Sequence, residues 1–249
     1  MDLIGGIVAW FADPAHWQGN AGVPTRVAEH LGLTVGSLLI AALIALPLGL
    51  AVGHTGRGVA AAVNLANLGR AMPTLATMGI VLPLTVAIDP QFGFKILPAL
   101  IALVALAIPP ILVNAYAGVN GVDRDVVEAG RGMGMRPLEL LLRVEIPLAL
   151  PVIVAGIRSG AVQIIATATL AAVFGGPGLG RYLVEGTAQS DYPMIFAGVI
   201  LVAVLSLASE LLFALLQRAL TSPGVRREPP PDPRVMAPTE QASSLGATT

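Results

Sequence analysis

The sequence predicts an all-α integral membrane protein with about five transmembrane helices, its N-terminus outside and its C-terminus in the cytoplasm. Three observations carry this. Of 249 residues, 55% are hydrophobic and only 12% charged, about half the charge of an ordinary soluble domain. Apolar runs of 18 or more residues recur along the chain, the length that crosses a hydrocarbon core. Basic residues fall unevenly between those runs, which sets an orientation.

Residues 1–31 read as an extracytoplasmic or interfacial segment. Met1-Asp2-Leu3 opens with an acid, so no cleavable signal is expected, and the apolar Leu3–Ala12 is too short to span. Trp10, Phe11 and Trp17 fit interfacial anchors. The membrane domain covers 32–220, with spans at about 33–53, 59–88, 96–119, 146–174 and 194–216. The first span carries Pro47, which membrane helices tolerate. The second is ambiguous: thirty residues are too many for one span and too few for two. Asn64, Asn67 and Arg70 recur at spacing three, so Val59–Gly69 reads as an amphipathic lead-in helix near the cytoplasmic leaflet. Met72–Ile88 is then the span proper, with Pro73 at the join. A polar turn at Asp89–Gly93 leads to the third span, bent near Pro109-Pro110. Residues 120–145 are densely charged, Gly175–Pro193 is a Gly-rich polar loop, and the Pro- and charge-rich tail 221–249 is expected to be disordered.

Five spans put the two ends on opposite sides. The side that holds the loop at Arg57, the segment 120–145 and the tail carries Arg57, Arg124, Arg131, Arg136, Arg143, Arg218, Arg226, Arg227 and Arg234. The other side carries Arg26, Lys95 and Arg181, while Arg70 and Arg158 lie within membrane segments. Nine against three places the first side in the cytoplasm.

Several chemistries are set aside. Cysteine is absent, which removes disulfides, thiolate nucleophiles and thiolate metal sites. His16, His30 and His54 lack ligand spacing, no basic stripe suggests nucleic acid, and no G-x-x-x-x-G-K-[ST] loop is present to bind ATP. Gly175–Gly180 is Gly-rich but faces the outer side.

The informative stretch is Val127-Glu128-Ala129-Gly130-Arg131-Gly132-Met133-Gly134, followed by Val144-Glu145-Ile146-Pro147. It resembles the E-A-A loop of ABC-importer permeases: E-A-A, three residues, Gly, nine residues, then I-x-L-P. Glu128, Ala129, Gly130 and Gly134 stand at the first positions, and Val144, Ile146 and Pro147 at the second. Gly130 replaces the second Ala and Ile146 the Leu. Glu29-His30-Leu31, Leu46-Pro47-Leu48-Gly49, Met72-Pro73-Thr74-Leu75-Ala76, Gly132-Met133-Gly134-Met135, Ala155-Gly156-Ile157-Arg158 and Gly178-Leu179-Gly180 extend the resemblance over Glu29–Leu220, to the branch importing glycine betaine, carnitine, choline and proline.

The resemblance implies the type I importer permease fold, as in methionine importers, in a bacterial or archaeal cytoplasmic membrane. It implies a transport subunit rather than an enzyme, with no cofactor of its own. ATP and Mg would be bound by two copies of a separate ATPase. A second permease copy or homologous permease would complete the pathway, and an extracytoplasmic binding protein would feed it. The loop 120–145 would be the coupling helix-turn-helix seated in the ATPase. Glu128 is expected to hold its shape by capping or by pairing with a nearby Arg, the small residue at 129 to let backbones approach, and Gly134 to permit the turn. An importer of another small solute such as methionine is the alternative, and an ATP-independent secondary transporter the more distant one. The latter commonly shows internal repeats, and none is visible here.

The resemblance implies that the span after the loop lines the pathway, so Gln163, Thr167 and Thr169 are candidate path residues. Arg158, twelve positions after Ile146, is a functional candidate as an ionisable group in a span. A structural role, pairing with backbone carbonyls or a neighbouring acid, is the favoured reading for it. Glu210, two turns before Arg218, reads as reaching toward the cytoplasmic interface. The orientation has a direct check. A reporter active only in the cytoplasm should work when fused after Arg227 and fail when inserted near Gly178; the opposite pattern would overturn the charge argument.

Overall fold

The computed structural model describes residues 3–220, apart from the side chains of residues 65, 68, 70 and 71; the tail 221–249 and its expected disorder lie outside the described residues. The helices run in the order α1 (Leu3–Ala12), α2 (Val23–Thr55), α3 (Val59–Ala71), α4 (Thr74–Ile88), a single turn α5 (Phe92–Lys95), α6 (Leu97–Asn120), α7 (Arg124–Gly132), a single turn α8 (Pro137–Leu140), α9 (Ile146–Thr167), α10 (Gly180–Gln189) and α11 (Tyr192–Leu220). A π-turn over Leu141–Glu145 joins α8 to α9, and α9 tightens to a 3-10 helix over Ala168–Phe174. No strand occurs among the described residues.

Helix α6 is the hub, with α2, α3, α4 and α9 all packed on it. Lipid tails are as apolar as Leu, so helices in a membrane associate through close packing rather than hydrophobic drive. Small residues supply that closeness. On α2, Ser37, Ala41, Ala45 and Gly49 are buried at intervals of four, which is one helix face. A Cβ on Gly49 would lie 2.7 Å from both Ala115 Cβ and Leu112 O of α6. On α9, a Cβ on Gly156 would lie 2.6 Å from Asn114 Cβ and 2.9 Å from Pro110 O. Met78, Leu103, Ile111 and Ile164 fill the fully buried core between these helices.

The register of these contacts gives the chain direction. Gly49 meets Leu112 and Ala115, and Gly53 meets Tyr116 and Val119, so α2 and α6 run parallel. Gly156 meets Asn114, and Gly160 meets Ile111 and Ala107, so α9 runs antiparallel to both. A parallel pair requires the chain between Thr55 and Leu97 to cross back. Four helices (α2, α6, α9 with its flanking turns, and α11) are long and apolar enough to span by themselves. The fifth crossing belongs to α3 and α4 together, because the fifteen residues of α4 reach only about 22 Å.

Several boundaries differ from the sequence reading. The first long helix begins at Val23, not Leu33, because polar groups of its first turns find partners in the fold: Arg26 pairs with Glu29 at 3.0 Å, and His30 Nε2 lies 2.9 Å from Ile165 O. Val59–Gly69 does not stop at the interface. Gly69 sits against Pro109, the midpoint of α6, so 59–88 is one crossing segment interrupted where Met72 and Pro73 turn extended. Asn64 and Asn67 are exposed on it. The region Gly175–Pro193, read as a loop, contains α10. Trp10 is a core residue rather than an anchor, only 5% exposed, with its ring stacked on His16 and edge-on to Tyr182.

Two substitutions on one helix test the packing. Gly49→Val should lower stability in detergent by about 1–3 kcal/mol, the range for overpacking a filled site. Gly36→Val, with nothing within 4 Å of its added Cβ, should stay within about 0.5 kcal/mol. Equal effects in thermal unfolding would deny α6 its role as hub.

Candidate functional site

The signature loop folds as a helix, a tight turn and a second helix that runs on into α9. Asp123 caps α7 by accepting from Asp125 N at 2.9 Å. At the other end Gly134 takes φ +83°, where a Cβ would be strained. Gly134 N bonds Arg131 O at 2.9 Å and Met135 N bonds Gly130 O at 3.2 Å. This pair of bonds is the Schellman closure. Arg136 is extended and Pro137 opens α8. Ahead of Pro147, which has no N–H to give Arg143, the helix loosens so that Ile146 N reaches Leu141 O.

The close approach falls at Gly130, not Ala129. Gly130 is buried, its absent Cβ 2.6 Å from Leu140 Cδ1, while Ala129 is exposed. Nor does Glu128 hold the loop's shape: it is exposed and makes no hydrogen bond or ion pair among the described residues, the cap being Asp123. Val126, Met133, Leu138 and Leu142 are exposed apolar side chains on this knob, Met133 by 77%. The loop is tied to the bundle by His54 Nδ1 at the end of α2, 2.6 Å from Glu145 Oε2. The Glu145 side chain is 5% exposed. Arg124, Glu128 and Arg131 line the same cleft of about 330 Å³.

At the opposite end, two motifs far apart in sequence meet. Glu29 Oε2 accepts from Gly178 N at 2.9 Å as well as from Arg26. A Cβ on Gly178, whose φ is +105°, would press on His30 at 3.1 Å. Burial pushes the Tyr182 hydroxyl up to about 12, and this donor reaches Ala21 O at 2.7 Å. The Gly-Leu-Gly turn thus fastens α10 to the start of α2. Sequence reasoning named both motifs without pairing them, and their chemistry held the signal: a lone acid near the start of one span and a glycine turn whose Gly178 N–H is left to a side chain.

The candidate path residues divide. Arg158 of α9 pairs with Glu210 of α11, the neighbouring acid that the sequence reading left open. Glu210 therefore turns into the bundle rather than toward the interface. Arg158, Ser159, Gln163 and Glu210 line a groove of about 420 Å³. Gln163 Nε2 donates to Ser159 Oγ at 3.2 Å. Thr167 continues the same face four residues on, half-buried at the end of α9. Thr169 lies beyond it in the 3-10 turn, where its hydroxyl bonds Ala166 O at 2.9 Å. Two turns below the ion pair, Gln217 Nε2 donates to Pro151 O at 3.0 Å, so α9 and α11 are clasped antiparallel.

The tie at Glu145 has a measurable weight. His54→Ala strands a buried carboxylate and should destabilise the protein by about 3 kcal/mol, the loss on breaking one side of a buried pair. Adding Glu145→Leu should recover most of that. A double variant as unstable as the two single losses summed would mean that the residues do not interact.

Residues 30–222 match the family model described as "Binding-protein-dependent transport system inner membrane component". The choline transport system permease protein OpuBB of Bacillus subtilis is 34% identical over 202 residues, covering 81% of this chain and 90% of that protein. The osmoprotectant import permease protein OsmW of Salmonella typhimurium is 34% identical over 216 residues, covering 86% of this chain and all of that protein. An inward-facing structure of the MetNI methionine ABC transporter superposes with a TM-score of 0.71 at 20% identity, over 78% of this chain and 94% of the other. With a family match across most of its length and a membrane fold that agrees, the chain belongs to the inner membrane components of binding-protein-dependent transport systems.

Proposed function

We propose that this chain is the permease subunit of an ATP-driven importer of a compatible solute, of the glycine betaine, choline, carnitine or proline class. The relatives' named substrates support the solute class. The observation that carries the coupling role is the knob. A Schellman-closed turn presents Val126, Met133, Leu138 and Leu142 to the outside at one end of the bundle, and exposed apolar side chains grouped in this way mark a docking surface. The partner is a separate ATPase in two copies, which binds ATP and Mg on its own chains. A second permease, identical or homologous, completes the pathway, and an extracytoplasmic binding protein delivers the solute. Gln163, Thr167, Thr169 and Arg158 line the path; Glu128, Ala129, Gly130, Gly134, Ile146 and Pro147 make the coupling loop.

In this reading the knobs approach one another when ATP closes the ATPase dimer, and the path changes from inward- to outward-facing. Such a switch requires ATP to be bound more tightly in one state than in the other. The loop's second half runs into α9 without a hinge loop, so displacement of the knob is delivered to the helix that carries Arg158 and Gln163.

Two variants separate docking from folding. Gly134→Pro cannot reach φ +83° and removes the N–H given to Arg131. Glu128→Arg disturbs no partner within the chain. Both proteins should insert, yet lose solute uptake and the stimulation of ATP hydrolysis by loaded binding protein, each by about tenfold or more, the weight of roughly 1.4 kcal/mol at a contact. Normal uptake by Glu128→Arg at normal expression would remove the coupling assignment.

A further inference from the structure

We infer that the Arg158–Glu210 pair and Gln163 form a zwitterion site in the membrane half of the path, with Arg158 receiving the solute's carboxylate and Glu210 its ammonium group. The inference rests on the compatible-solute reading and gives that path a specific chemistry. Arg158 lies twelve residues from the start of α9, about 18 Å up the helix. Glu210 lies ten residues from the end of α11, about 15 Å up. Both groups are therefore deep within their spans.

Depth makes their exposure informative. The two side chains are 31% and 38% exposed. Charges inside spans face a protein interior or a water-filled cavity, because lipid solvates neither. On the compatible-solute reading this face of α9 fronts the path, while Gly156, Gly160 and Ile164 are buried on α6. Ser159 and Gln163, four residues apart, line the groove beside the ion pair and extend it toward the opposite end of the helix from the coupling loop. The groove's volume of about 420 Å³ lies in the range of small-ligand clefts. Among the described residues no aromatic ring lines it, so a carboxylate, not an aromatic cage, is the partner offered to a quaternary ammonium.

The pair suits a zwitterion for an electrostatic reason. Without solute, Arg158 and Glu210 neutralise each other, and the groove holds no uncompensated charge. A zwitterion exchanges one ion pair for two, guanidinium with carboxylate and carboxylate with ammonium, and the net charge stays at zero throughout. A pure cation such as choline engages Glu210 and strands Arg158, and an unpaired charge in a low-dielectric site is strongly disfavoured. Gln163, already directed to Ser159 above the pair, offers a neutral donor to the incoming carboxylate.

The test is binding to the purified permease–ATPase complex without binding protein, read by saturation-transfer NMR on the methyl groups of glycine betaine and of choline. Wild type should bind glycine betaine more tightly than choline. Arg158→Gln should weaken glycine betaine by about tenfold or more, the weight of one charge-assisted hydrogen bond, and leave choline unchanged or tighter. Glu210→Gln should weaken both. Arg158→Lys, which keeps the charge, should keep the preference and serves if the Gln variant does not assemble. Absence of binding to wild type, or weakening of both solutes in proportion by Arg158→Gln, would leave the pair a structural clasp and overturn the site. Uptake by the complete assembly with its binding protein reports separately on the underlying reading. Glycine betaine uptake without groove binding sinks the site alone, whereas transport of no compatible solute sinks the function beneath it.

Discussion

Backbone-close packing on α6 is the constraint from which the other features follow. Gly49 of α2 and Gly156 of α9 both lie where a single added carbon would meet α6 backbone or Cβ atoms at under 3 Å, so neither helix can slide or rotate freely. With α2 parallel and α9 antiparallel to the hub, His54 and Glu145 arrive at the same end and at the same depth. The same register brings Ile165 to His30 at the other end. It also turns Arg158 away from the hub and toward α11. Small residues set the geometry, and the polar contacts are made where that geometry leaves partners.

The knob is joined to the bundle in two ways that differ in kind. One is covalent and stiff: Pro137 to Thr167 is continuously helical, with only a π-turn before Pro147. The other is a short contact between a histidine and a nearly buried carboxylate. A force on the knob is thus shared between α9, which lines the groove, and α2, which does not. Relative movement of these two helices must be accommodated on α6, against which both are packed.

How much of this was legible in the sequence depends on distance along the chain. Local features read well. Apolar runs marked α6 and α11 to within a few residues, and Gly134 announced a turn because only a residue without a Cβ sits easily at φ +83°. The start of α2 was misjudged because Arg26, Glu29 and His30 precede the uncharged run, whereas the partners of Glu29 and His30, Gly178 and Ile165, lie 149 and 135 residues away and leave no local trace. Arg158 and Glu210 are 52 residues apart. Their pairing was readable only as a coincidence, one acid and one base deep in two different spans. Asp123 rather than Glu128 as the cap could have been found, since an Asp directly before a helical run is the stronger signal.

The interruption at Met72-Pro73 bears on how the chain enters the bilayer. There the backbone leaves the helix, beside Ala102, Ala105 and Leu106 of α6. Thr77 gives both its backbone N–H and its hydroxyl to the Pro73 carbonyl, at 3.0 and 3.2 Å. Non-helical backbone at membrane depth is tolerated only against protein or water, and α4 alone falls short of the bilayer's thickness. When residues 59–88 emerge from the ribosome, the helix that will cover the break has not yet been made. This segment must then wait near the insertion machinery or the interface until α6 follows it. Biogenesis is thereby non-sequential, with the second crossing settled by the third.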